Sequence, residues 1–114
     1  MTDSTRKEKP LFIYKLTLTE EYRNPAKWTD AAFKIVDDHA EFFNELGNQG
    51  LLIFAGRTIL DPDDKDLFGI AVIQAETLEE ARRIMAPDPV IKNKIMKCAI
   101  FPFSMKIRYF NNLE

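Results

Sequence analysis

The chain has 114 residues, 46% of them hydrophobic and 30% charged, which is a globular balance that excludes disordered and fibrous classes and is too short to divide into two domains with separate cores. Sixteen Lys plus Arg against 18 Asp plus Glu give a formal net charge of -2, so no excess of positive charge is present to hold nucleic-acid phosphates. One cysteine cannot close an internal disulfide, the apolar run Leu51 to Ala55 is far short of a membrane span, and no apolar segment precedes Leu11, so the expected setting is cytoplasmic, with neither membrane nor nucleic acid as a partner.

Residues 1–10 are polar, charged and without period up to Pro10, and are expected to form a disordered tail before a single domain over 11–114. Leu11 to Leu18 alternates, with Phe12, Tyr14, Leu16 and Leu18 on one face, and reads as a first strand. Glu20 to Trp28 follows as a connection, generous for a plain loop, in which Asn24-Pro25 can start a helical turn. From Thr29 the period becomes helical: Ala32, Ile35, Val36, His39, Phe43 and Leu46 share a face, predicting a helix over about Thr29 to Asn48 that stops at Gly50.

Leu51 to Thr58 is apolar on both faces up to Gly56-Arg57, which predicts a second strand buried on both sides. The turn-forming run Asp61 to Asp66 leads to a third strand, Leu67 to Ala75, in hairpin relation to the second. Thr77-Leu78-Glu79-Glu80 reads as a capping box opening a second helix that ends near Ala86. After Pro87-Asp88-Pro89, one or two turns are expected in Val90 to Met96. A fourth strand then runs from Lys97 to Phe110, with Ala99, Phe101, Phe103, Met105, Ile107 and Tyr109 on its apolar side. Pro102 makes this an edge strand.

Strand, helix, strand, strand, helix, strand with right-handed crossovers predicts an α+β, ferredoxin-like βαββαβ fold: one four-stranded antiparallel sheet with both helices on one face. The other face is left bare although the inner strands are apolar on both sides, which predicts that two copies pair sheet to sheet as a homodimer.

The order and spacing of several pieces resemble the YCII-related (YciI-like) small proteins over roughly Leu11 to Phe110. These pieces are His39 on the first helix, Asn48-Gln49-Gly50-Leu51-Leu52 at its end, Ala55-Gly56, Gly69, Thr77-Leu78-Glu79-Glu80-Ala81, Asp88-Pro89 and Pro102-Phe103. The resemblance implies a dimeric α/β barrel and a histidine and an aspartate with proposed catalytic roles, which map onto His39 and Asp88. Two departures are visible: Arg57 stands where relatives often have proline after Ala-Gly, and Asn93-Lys94 where they often have glycine.

On the residues alone, His39 reads either as a core histidine satisfied by one hydrogen bond or as a partly enclosed acid/base near neutrality. Asp88, between two prolines, reads on its own as an N-cap, which alone explains it; with the pair that the resemblance implies, its second oxygen is free to orient His39. Arg57 is either a solvated hairpin charge or a bidentate holder of a substrate carboxylate or phenolate. Lys92, Lys94 and Lys97 read as a solvated face. Ser104 lacks the setting of a nucleophile and Cys98 reads as a small filler. No cofactor is expected. One His and one Cys cannot cage a metal, the acidic loop lacks the pattern of a calcium site, and no glycine loop cradles phosphate.

The function expected from these readings is cofactor-independent acid/base catalysis of lyase, isomerase or hydrolase type on a small organic molecule, anionic if Arg57 binds it. A non-catalytic ligand-binding or interaction domain and a cofactor-independent monooxygenase on a similar barrel are the alternatives.

Overall fold

A computed structural model describes residues 9–113. Of the expected tail, Met1 to Glu8 lie outside the described residues, while the Pro10 carbonyl accepts from the Ala75 amide at 3.1 Å. The elements are β1 (Leu11–Leu18), α1 (Asp30–Asn48), β2 (Leu52–Arg57), β3 (Gly69–Gln74), α2 (Leu78–Met85), α3 (Pro89–Lys92) and β4 (Met96–Phe103), with short 3-10 turns at Glu21–Arg23, Pro25–Lys27 and Phe110–Leu113. Each main helix starts where the side-chain chemistry dictates: Thr29 accepts from the Ala32 amide and Thr77 from that of Glu80, satisfying amides that the first turn leaves without partners.

The sheet order is β2-β3-β1-β4 and every pairing is antiparallel, which is the ferredoxin-like arrangement. The alternation of β1 decides what each face does. Phe12, Tyr14, Leu16 and Leu18 are buried, with Ala71 and Ile73 of β3, in the core beneath the helices. Side chains alternate across a strand, so Leu11 and Ile13 look the other way, in register with Val72 and Gln74 of β3 and with Phe101 and Phe103 of β4.

Two expectations are corrected here. The second strand is not buried on both sides: it is a sheet edge, and Ile53, Ala55, Gly56 and Arg57 are exposed. The fourth strand ends at Phe103 rather than Phe110, because its sole neighbour β1 begins at Leu11, which pairs with Phe103. Its apolar set Ala99, Phe101 and Phe103 also faces away from the helices, while Met96 and Ile100 pack on the core. The tail after β4 returns toward the opposite edge, where the ring of Phe110 meets Phe54 at 6.1 Å. Among the described residues no helix is long and apolar enough to cross a membrane.

Candidate active site

Beneath the middle of α1 the sheet carries small residues. Ala55 on β2 and Gly69 at the start of β3 lie on its helix side, level with Tyr14 and Leu16 of β1. With no bulky side chains rising there, a cavity of about 590 Å3 opens between α1 and the sheet, walled by Phe33, Val36, His39 and Phe43 from α1 and by Trp28 and Leu67 nearby. The walls are mostly apolar, as expected of a small-molecule site.

The generous connection after β1 builds one wall. Asn24 accepts from the Ala26 amide, the second 3-10 turn begins at Pro25, and the Trp28 indole N–H donates to the Tyr22 carbonyl at 2.8 Å. The indole is thus fixed, packed edge-on against Tyr22 at 5.8 Å and tilted on Phe33 at 5.3 Å.

The polar centre is a histidine-aspartate pair. His39, its side chain 14% exposed, lines the cavity and places Nδ1 2.7 Å from Oδ1 of Asp88, 49 positions later. Asp88 is fully buried. A buried carboxylate is tolerable only when hydrogen-bonded and paired, and this one is: Oδ1 also accepts from the Val90 amide at 3.1 Å, and Oδ2 accepts from the Tyr14 hydroxyl at 3.2 Å. An ionised carboxylate only accepts, so opposite that form of Asp88 Nδ1 would carry the hydrogen and a neutral ring would keep Nε2 as its acceptor. The Phe43 ring packs on His39 at 4.4 Å between centroids and meets Tyr14 edge-on at 6.4 Å.

The structure therefore brings His39 and Asp88 together, with one difference from the expectation. The expectation gives capping and contact with the histidine to separate carboxylate oxygens; in the structure both fall on Oδ1, and Oδ2 accepts from Tyr14. Tyr14 is the residue sequence reasoning missed. Its signal was a hydroxyl in the otherwise apolar row Phe12, Tyr14, Leu16, Leu18, since a buried tyrosine O–H needs a partner. Burial, then the charge of Asp88, then Cys98, push the Tyr14 hydroxyl far above its ordinary pKa.

Arg57 lines the same cavity as His39, is exposed, and sets Nη1 3.3 Å from the Thr58 carbonyl. Lys92, Lys94 and Lys97 are exposed and away from the cavity walls.

Fold and site together are those of a small α+β, ferredoxin-like protein with a histidine-aspartate pair beside an apolar cavity. The family model of the YCII-related domain matches residues 16–104, and the chain belongs to that family. Among solved structures it is similar to 5-chloro-2-hydroxyhydroquinone dehydrochlorinase (TftG) from Burkholderia phenoliruptrix AC1100, in complex with 2,5-dihydroxybenzoquinone. That similarity has 14% identity and a TM-score of 0.61, covering 82% of this chain and 93% of the other. It is also similar to SnoaB, a cofactor-independent oxygenase from Streptomyces nogalater, at 16% identity and a TM-score of 0.47, over 90% of this chain and 97% of the other. No curated protein matches the chain.

Proposed function

We propose that the protein is a cofactor-independent enzyme in which His39 takes and returns a proton through Nε2, Asp88 orients the ring, and Arg57 holds an anionic group of a small organic substrate. The observation that carries this reading is the 2.7 Å contact between Nδ1 and Asp88 Oδ1, with the same imidazole forming part of the cavity wall. A carboxylate behind Nδ1 fixes ring and tautomer and favours the protonated ring when the proton arrives, as general acid/base work requires. The family is consistent with cofactor-free chemistry, and the dehydrochlorinase that shares the fold acts on a hydroxylated ring compound.

The working form is a homodimer paired through the open sheet face. Ile13, Phe101 and Phe103 of that face are contiguous by register, Phe101 is 53% exposed, and monomers seldom leave such a surface bare.

One tryptophan and one histidine, both on the cavity wall, make the test direct. Small carboxylates, phenols and their neutral analogues are titrated against Trp28 fluorescence, and the binders are assayed for turnover. The reading expects anionic binders that weaken in Arg57→Ala, and turnover that falls by about two orders of magnitude in His39→Asn. Binding of the same compounds without turnover would replace it with a ligand-binding domain, and turnover that consumes oxygen with a monooxygenase.

A further inference from the structure

Tyr14, Asp88, His39 and Phe43 form a closed ring of contacts drawn from three parts of the chain: β1, the α2–α3 link and α1. Asp88 bonds Tyr14 through one oxygen and His39 through the other, while the Phe43 ring touches both aromatic partners. Tyr14 is fully buried and does not line the cavity, so it has no route to a substrate. Its hydroxyl is instead aimed at the carboxylate behind the histidine.

We propose that Tyr14 is a positioning residue for His39, acting through Asp88. The proposal rests on the reading of His39 and Asp88 as an acid/base pair. By occupying Oδ2 the hydroxyl fixes rotation of the carboxylate, so that Oδ1 stays in line with Nδ1. It also draws negative charge away from Oδ1. Donation to a carboxylate stabilises the ionised form, and a partner so moderated holds the Nδ1 hydrogen without pulling the ring over to imidazolium. Held in that tautomer, the ring presents Nε2 as its acceptor. The other titratable group against the hydroxyl is the Cys98 thiol of β4, a weaker donor and acceptor than the carboxylate.

The test needs no substrate, because the single histidine gives unambiguous imidazole signals. The chain is labelled with 15N at histidine, and the ring nitrogens and the Nδ1 proton are followed by NMR across pH in the wild type, in Tyr14→Phe, and in protein carrying 3-fluorotyrosine at position 14. Tyr14→Phe keeps the ring and its packing. The proposal expects the Nδ1 proton to move downfield and the imidazolium signal to persist to higher pH than in the wild type. Fluorine beside the hydroxyl makes it a better donor while keeping its shape, and moves both signals the opposite way; this second arm also serves if Tyr14→Phe fails to fold. A folded Tyr14→Phe with unchanged signals, or a fluorinated protein identical to wild type, would reduce Tyr14 to a packing residue and leave the acid/base pair intact. A wild-type ring protonated at Nε2 instead of Nδ1 would overturn the pair itself, and Tyr14's role with it.

Discussion

The hydroxyl of Thr19, just past the end of β1, donates to the carbonyl of Lys94 at 2.8 Å, and so ties the central strand to the turn that follows α3. Lys94 has φ 59, the one non-glycine residue at positive φ among those described. The turn is a Schellman closure: the Lys94 amide donates to the Ile91 carbonyl at 3.1 Å and the Ile95 amide to that of Val90 at 3.0 Å, with Val90 and Ile95 both fully buried beside it. Such a closure needs the left-handed conformation, which suits glycine.

Lys94→Gly is therefore expected to stabilise the fold. A side chain in the left-handed region costs about 1–2 kcal/mol, and glycine returns part of that gain as unfolded-state freedom. A net of about 1 kcal/mol, or roughly 4 °C in Tm, is the expected result. Lys94→Ala keeps the Cβ and should gain little. Thermal unfolding of both variants checks the prediction, and a loss in Lys94→Gly would mean that the lysine side chain outweighs the strain.

Alkaline pH should find Tyr14. Its pKa is raised in the folded state, first by burial and then by Asp88, whereas in the unfolded chain it titrates near pH 10. A raised pKa contributes stability in full below the unfolded value. Above about pH 10 the unfolded state alone loses the proton, and this contribution falls by about 1.4 kcal/mol per pH unit. Urea midpoints measured from pH 8 to 11 should drop more steeply in wild type than in Tyr14→Phe, and parallel curves would show that the hydroxyl ionises in place.

Asp88 separates two roles by chemistry. Asp88→Asn keeps an oxygen for the Val90 amide, loses the charge, and is expected to remain folded at a cost of about 1–3 kcal/mol with turnover sharply reduced. Asp88→Ala strips partners from Tyr14, His39 and Val90 at once and should cost on the order of 4 kcal/mol. Urea unfolding gives both values, and equal losses would mean that capping explains nothing of the difference.

Assembly is checked on the open face. Phe101→Lys places a charge opposite Ile13, away from cavity and helices, and should convert a dimer at micromolar concentration into a folded monomer in sedimentation velocity. Unchanged sedimentation would send the interface elsewhere.

Much of this was legible in the residues. Alternation in β1, the helical period through His39 and the capping box at Thr77 report local geometry, and local geometry fixed the element order. What escaped was non-local. The end of β4 at Phe103 depends on where its neighbour begins, not on its own alternating pattern, which continues to Tyr109. The exposure of β2 follows from its edge place in the strand order, although its composition suits a strand buried on both sides. His39 and Asp88 could be matched through the family resemblance, but the Tyr14 hydroxyl looked like one more apolar-row residue because its acceptor lies 74 positions away. Trp28 gave no pattern at all, since two short 3-10 turns with no periodic face place it at the cavity.

The cavity has walls of two mechanical kinds. His39 is set on a 19-residue helix and held through Asp88, whose capping bond anchors it in the chain. Pro25, Trp28, Leu60 and Pro62, facing the same space, stand on the two connecting segments that tolerate sequence change most readily. Substitutions in those segments would reshape their wall without displacing the pair, so under the proposed function the compounds admitted could change while His39 and Asp88 keep their geometry.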